Sequence, residues 1–296
     1  MGGKLLLIDG HNLLFRTFYG IPARIPGRDG QAIHGVVGFV GTLLRTLALL
    51  EPTHLLVVFD HESGSFRNTL DENYKSNRVA AQAERDDPFS QLPAIYHTLD
   101  HLGWQHSETP GVEADDVIAA YAQRYGGAAE VVILSTDADL LQLIGPGVSV
   151  LYPRGKASLL YGPAEVVAKY GVAPCFIPDL KALTGDQSDN LVGVPGIGPK
   201  TACALIQRFG GIAEIFQQLE AIERDLLRQK LMAHQQQVLH NLALMRLDRQ
   251  VTLPCALAEL AIVPESWQRK TMGLLREAGI AGFPEDTVNA GGLMKA

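Results

Sequence analysis

Three apolar runs each lead into an aspartate: Leu5-Leu6-Leu7-Ile8-Asp9, Leu55-Leu56-Val57-Val58-Phe59-Asp60 and Val131-Val132-Ile133-Leu134-Ser135-Thr136-Asp137. Short unbroken apolar runs read as strands buried on both faces, as in a parallel sheet covered by helices. Ligands of such sheets bind beyond the carboxyl ends of the strands. One strand-ending aspartate is an ordinary turn residue; three on one edge repel each other and call for a divalent cation. More acids follow. Glu113, Asp115 and Asp116 open a helical pattern, with Glu113 and Asp116 on one face. Asp139 stands two residues after Asp137, and Asp186 and Asp189 lie in a polar, glycine-containing segment. Alone, each has a plainer reading as helix-dipole complement, N-cap or solvated loop. Together, these nine acids sit where such a fold can converge them. Oxygen donors without His or Cys suit Mg²⁺ or Mn²⁺ rather than zinc. A single Mg²⁺ takes one or two carboxylates directly, so two or more ions are expected, as in phosphodiester hydrolysis.

The elements that must position these acids follow from the hydrophobic pattern. Strand and helix signals alternate to about residue 160, including a hairpin around Arg154-Gly155-Lys156, and the pattern then becomes mainly helical. An α/β core over 1–160 with a helical region over 161–283 is expected. Residues 61–91 are polar, poorly patterned and long for a connection, as functional loops are. They contain Tyr74, Lys75 and Arg78, whose plain reading is a solvated charged loop. Beside a phosphodiester site, the two cations would instead meet phosphate and Tyr74 would stack on a base. The tail over 284–296 is expected to be poorly ordered.

The segment Gly193-Val194-Pro195-Gly196-Ile197-Gly198-Pro199-Lys200-Thr201-Ala202 superficially resembles a nucleotide-binding loop, but Pro199 separates Gly198 from Lys200 and no apolar strand precedes it. A helix–hairpin–helix over about 183–209 fits better. Its Gly-Ile-Gly turn offers amides to a DNA phosphate, Pro199 starts the next helix, and Lys200 adds a charge blind to base sequence.

Length and composition leave this open. A chain of 296 residues with 47% apolar and 19% charged residues is ordinary for a soluble protein. No membrane span or signal peptide is expected, three scattered cysteines argue against a disulfide framework, and the cytoplasm is the expected location. A net charge of −7 would argue against a nucleic-acid partner, but nine acids in one metal cluster leave a slightly positive remainder.

With these motifs go Phe15-Arg16-Thr17-Phe18, Ser65-Phe66-Arg67, Tyr74-Lys75-Ser76-Asn77-Arg78 and Leu183-Thr184-Gly185-Asp186-Gln187-Ser188-Asp189-Asn190, in order along residues 4 to 250. In this set the chain resembles the bacterial and phage 5′-nuclease family: the 5′→3′ exonuclease domain of DNA polymerase I and its free-standing flap endonuclease relatives. The resemblance implies a PIN/5′-nuclease-like parallel-sheet core, with 61–91 as a helical arch or clamp passing a free 5′ strand. It places all nine acids on metal-ligand positions, Lys75 and Arg78 at the scissile region, and Arg16 on a substrate phosphate. It gives duplex binding to the hairpin (Gly196, Gly198, Lys200, Thr201), whose carbonyls hold a K⁺ ion in relatives. The implied substrate is DNA with a free 5′ end at a flap, nick or gap, RNA-primed ends included, in replication and repair. The protein partner is left open between a polymerase, a sliding clamp and none; a monomer is expected, and no polymerase module is expected within the chain. Two other readings share parts of this pattern. A PIN-like ribonuclease would not need the hairpin, and a non-catalytic binder of DNA structures would not need the complete acid set.

Overall fold

A computed structural model describes residues 3–21, 24–27, 30–63, 65–76, 87–154 and 157–263. The three apolar runs are strands β1 (Lys4–Asp9), β2 (His54–Phe59) and β4 (Glu130–Leu134), joined by β3 (Gln105–Glu108), β5 (Val148–Tyr152) and β6 (Leu159–Tyr161). Their order is β3-β2-β1-β4-β5-β6, parallel throughout except for β6, which returns antiparallel along β5.

The side-chain period of two explains the burial on both faces. Leu5, Leu7, Leu56, Val58, Val131 and Ile133 pack on one side, against α5 (Ala114–Tyr125) and the helical region. Leu6, Ile8, Leu55, Val57, Val132 and Leu134 pack on the other, against α1 (Gly10–Gly20), α2 (His34–Leu50) and α4 (Leu92–Leu102). Full burial of each such side chain is worth roughly 1.5–3 kcal/mol, enough to fix strand register. The chain runs from β1 outward to β2 and β3, then crosses to β4 on the far side of β1. That reversal opens a crevice at the carboxyl ends of β1 and β4, beside Asp9 and Asp137.

The helical region consists of α6 (Pro163–Tyr170), α7 (Ile177–Thr184), α8 (Pro199–Phe209), α9 (Ile212–Gln217), α10 (Asp225–Ala233) and α11 (Gln235–Met245). Its core residues Val194, Ile197, Leu205, Ile206, Leu231 and Val238 belong to the same apolar cluster as one sheet face. One departure from the helical pattern is a two-residue ladder, β7 (Gly185–Asp186) with β8 (Leu191–Val192), which closes the loop carrying Asp186 and Asp189. Gly193 is required there, because a Cβ would lie 2.2 Å from the Thr184 carbonyl carbon.

Of the expected arch, the described parts are its ends. Helix α3 (Phe66–Leu70) starts at a Ser65 cap, and a short turn, Pro88–Gln91, precedes α4. Arg78 and the centre of the arch lie outside the described residues, as do Gly155-Lys156 in the β5–β6 hairpin and the tail over 284–296. Among the described residues, no helix is long and apolar enough to cross a membrane.

Candidate active site

Asp9, Asp60, Asp115 and Asp137 line a cavity of about 1340 Å³ beyond the carboxyl ends of β1, β2 and β4, together with Lys75, Arg16, His11 and Asn12. Local structure fixes each acid. Asp9 caps α1, its Oδ1 accepting from the Asn12 amide at 3.1 Å and its Oδ2 from Ser135 Oγ at 2.8 Å. Ser135 Oγ also accepts from the Asp137 amide at 3.0 Å, and Asn12 Oδ1 accepts twice from Thr136. Asp60 Oδ1 accepts from the Ala114 amide at 2.8 Å, which ties the end of β2 to the start of α5.

The electrostatics of this group fit a cation. Burial, then the charges of Asp137 and Asp60, push the Asp9 carboxyl up to about 7. Burial with Asp137 and Asp9 pushes Asp115 well above the usual carboxylate range. Asp60 goes the other way: enclosure acts upward, but the His11 ring and the Ala114 amide outweigh it and hold it at about 2. Carboxyls that resist ionisation because they face each other are relieved by a divalent ion, and the donors are all oxygen.

A second acidic group adjoins the first. Asp139, Asp186 and Asp189 each present a carboxylate oxygen, all within 4.8 Å of one another. Asp139 belongs to the turn Asp139–Leu143, and its amide donates to Asp137 Oδ1 at 2.8 Å, which links the two groups. The structure adds a cation that the sequence reading did not assign. Lys181 on α7 reaches Asp139 Oδ1 at 2.5 Å and Asp186 Oδ2 at 2.6 Å. Burial pushes Asp139 up and Lys181 pulls it down, leaving it at about 7. The signal was present, since Lys181 is the one cation of the apolar helix preceding the acid pair.

Three expected site residues are placed differently. Asp116 is turned away from the cavity: Arg67 Nη1 and Nη2 donate to its two oxygens at 2.6 and 2.8 Å, and the Asp248 amide donates to Oδ1 at 2.8 Å. In this arrangement it serves as the buried counter-ion of Arg67. Glu113 shares that face and accepts from Ser65 Oγ at 2.5 Å and Lys75 Nζ at 2.7 Å, with Arg67 at 3.6 Å. Tyr74 does not stand ready to stack on a base; it is 4% exposed among Leu191, Leu244 and Met245, its hydroxyl 3.5 Å from Asp189 Oδ2.

Lys75 itself lines the cavity. Burial alone would lower its pKa, but the Glu113 charge overrides this and raises it, so the ammonium is retained. Arg16 is exposed on α1 at the cavity wall, where Phe15, Tyr19, Phe89 and Tyr96 form an aromatic wing. In the helical region, α7 and α8 flank the hairpin turn. Val194 and Ile197 anchor it in the core, while Gly196 (φ 82°), Gly198 and Lys200 are exposed and Thr201 is half-buried. Helix α8 begins at Gly198 without a side-chain cap, which leaves first-turn amides for an anion.

Oxygen-only acids at the switch point of a parallel sheet, beside a retained ammonium, make a site whose chemistry suits divalent cations and phosphate. The chain belongs to the 5′-3′ exonuclease family: residues 4–171 match its N-terminal resolvase-like domain and residues 172–268 its C-terminal SAM fold. Thermostable DNA polymerase I of Thermus thermophilus is 38% identical over 258 residues, covering 87% of this chain and 30% of the relative. The chain thus spans under a third of that relative's length. Among solved structures, T5 5′-exonuclease with bound zinc aligns with a TM-score of 0.71 at 26% identity, over 93% of this chain and 99% of the other. A pseudo-enzyme-product complex of the T5 D15 flap endonuclease with DNA and metal ions aligns at 0.67 and 25% identity, with the same coverage.

Proposed function

We propose that the chain hydrolyses phosphodiesters near the free 5′ end of flap, nicked or gapped DNA, as a 5′→3′ exonuclease and 5′-flap endonuclease using Mg²⁺ or Mn²⁺. The observation that carries this reading is the cavity where four aspartates face Lys75 and Arg16, with the Asp139–Asp186–Asp189 group adjoining through Asp137. Asp9, Asp60, Asp115 and Asp137 would hold one ion, and Asp139, Asp186 and Asp189 a second. Divalent ions bound there supply Lewis-acid activation of water and offset charge on the leaving oxygen.

The protein's own groups do the rest. Arg16 meets a phosphate at the cavity wall, and the Lys75 ammonium leaves Glu113 in part to face the scissile phosphate, where negative charge grows. Arg78 is assigned to the same region on the family motif. Unpaired bases near the 5′ end stack against the Phe15–Phe89 wing. The hairpin amides at Gly196 and Gly198, with Lys200 and Thr201, hold duplex phosphates without reading sequence. A K⁺ ion at the hairpin would share it with Lys230, whose Nζ already donates to the Pro195 carbonyl at 2.9 Å. Action beside a polymerase on RNA-primed ends, and as a monomer, is part of the same proposal.

The test is cleavage of a 5′-labelled flap duplex. Release of short 5′ pieces with Mg²⁺, none with EDTA, and little cutting of a duplex lacking a free 5′ end is expected. Binding without cutting at any divalent ion would leave a DNA-structure binder; preference for single-stranded RNA would favour the ribonuclease reading.

A further inference from the structure

We propose that Asn190 is a positioning residue that holds Lys75 in the cavity and ties it to the Asp186–Asp189 loop; the inference rests on the role proposed for Lys75. Among the described residues, three non-glycine residues have positive φ: Glu51 (46°), Lys75 (56°) and Asn190 (60°). Glu51 merely ends α2. Lys75 is the unusual one, because left-handed backbone disfavours a long side chain, whereas asparagine adopts it readily. Such backbone persists only where the surroundings over-determine it, and it clusters at functional sites.

The surroundings here are Asn190 and its neighbour. Asn190 Nδ2 donates to the Asn73 carbonyl at 3.0 Å and to Ser76 Oγ at 3.2 Å, bracketing Lys75 from both sides. The Lys75 amide donates to the Asp189 carbonyl at 3.2 Å. The left-handed turn delivers the Lys75 ammonium to Glu113 and the cavity. Asn190 Nδ2 thus joins the foot of the arch to the loop of the second acidic group, beside the Tyr74 hydroxyl on Asp189. Whatever seats that loop also seats the ammonium.

Asn190→Gly tests this, since glycine keeps the left-handed backbone and deletes only the amide. Asn190→Asp keeps size and backbone preference but presents an acceptor to the Asn73 carbonyl. Single-turnover cleavage of saturating 5′-flap DNA is measured for both variants, for Lys75→Ala and for the Lys75→Ala/Asn190→Gly double. Each Asn190 variant should lose about tenfold or more in rate, as misplacement of a catalytic group does, with DNA affinity and melting temperature near wild type. On the Lys75→Ala background the further loss should stay within about twofold, because the two act through one group. A general structural role would cost the same on both backgrounds, and that result overturns the proposal. An activity-free readout runs beside it: acylation of Lys75 by an amine-reactive reagent in DNA-free protein should quicken in Asn190→Gly. Wild-type rate and unchanged acylation sink the latch and leave the nuclease reading intact. Near-wild-type cleavage by Lys75→Ala sinks the role of Lys75 instead, and acylation then decides the latch alone.

Discussion

Arg67 grips Asp116 with both terminal nitrogens in a pair that is 1% and 0% exposed. Two further donors go to the carbonyls of Leu244, from Nε at 2.8 Å, and Arg246, from Nη2 at 2.9 Å. One guanidinium therefore joins α3 at the foot of the arch, α5 behind the acids, and the end of α11. Burial opposes its charge, and Asp116 with Glu113 more than restores it.

Asp116→Ala should accordingly fail as a fold before it fails as a catalyst. Removing one partner of a buried pair costs about 3–5 kcal/mol, and urea unfolding in EDTA reads it. Adding Arg67→Met to Asp116→Ala should recover part of the loss, since the stranded charge is gone. Wild-type stability for Asp116→Ala would show that water reaches the pair.

Lys75→Ala should slow the chemical step by about 10²–10³, as loss of a preorganised charge at the transition state does. Single-turnover rates at saturating flap DNA remove binding from the measurement. A loss under about threefold would make Lys75 an ordinary loop lysine.

Stability of the metal-free protein should fall as pH rises from about 4 to about 8. Asp9 and Asp139 titrate near 7 in the folded protein, against 3.8 when exposed, so the native state holds their protons longer. Their contribution is complete below the unfolded value and lost as pH climbs through the folded one. Asp60, held at about 2, acts the opposite way but only below about 4. Melting temperature against pH in EDTA should show the decline, and Mg²⁺ should flatten it. A flat EDTA profile would mean that the acids do not crowd each other.

Lys181→Met should destabilise the metal-free protein at pH 8 by about 1.5–3 kcal/mol, the worth of charge-assisted hydrogen bonds, and by less with Mg²⁺ present. Lys181 is the internal counter-charge of Asp139 and Asp186. Equal losses with and without the ion would separate Lys181 from the cation site.

Lys200→Ala should weaken duplex binding regardless of sequence and lower the slope of log K against log salt by about one. Titrations at several salt concentrations, on two unrelated duplexes, read both effects. An unchanged slope would place Lys200 away from the DNA backbone.

The sheet and its acidic edge were legible because the information is local. Asp9, Asp60 and Asp137 follow apolar runs that must be buried on both faces, and strand ends in a parallel sheet share one side. The choice between Asp115 and Asp116 was not local. Neighbours on a helix point about 100° apart, and Asp116 faces inward because of Arg67, 49 residues away. Tyr74 misled for the same reason, since Leu191, Leu244 and Met245 enclose it from distant parts of the chain. Gly193 and Gly196 were legible as turn positions, because the steric and φ demands there are written in the residue type.

Asp137 belongs to one acidic group and Asp139 to the other, with only Ala138 between them. Two residues of backbone span at most about 7 Å. A covalent ruler therefore sets an upper limit on how far the two groups can part. Substitutions in the sheet or helices can loosen either group, yet an insertion or deletion at this tripeptide would change that limit itself. The chain could drift widely elsewhere and keep the same gauge at its centre.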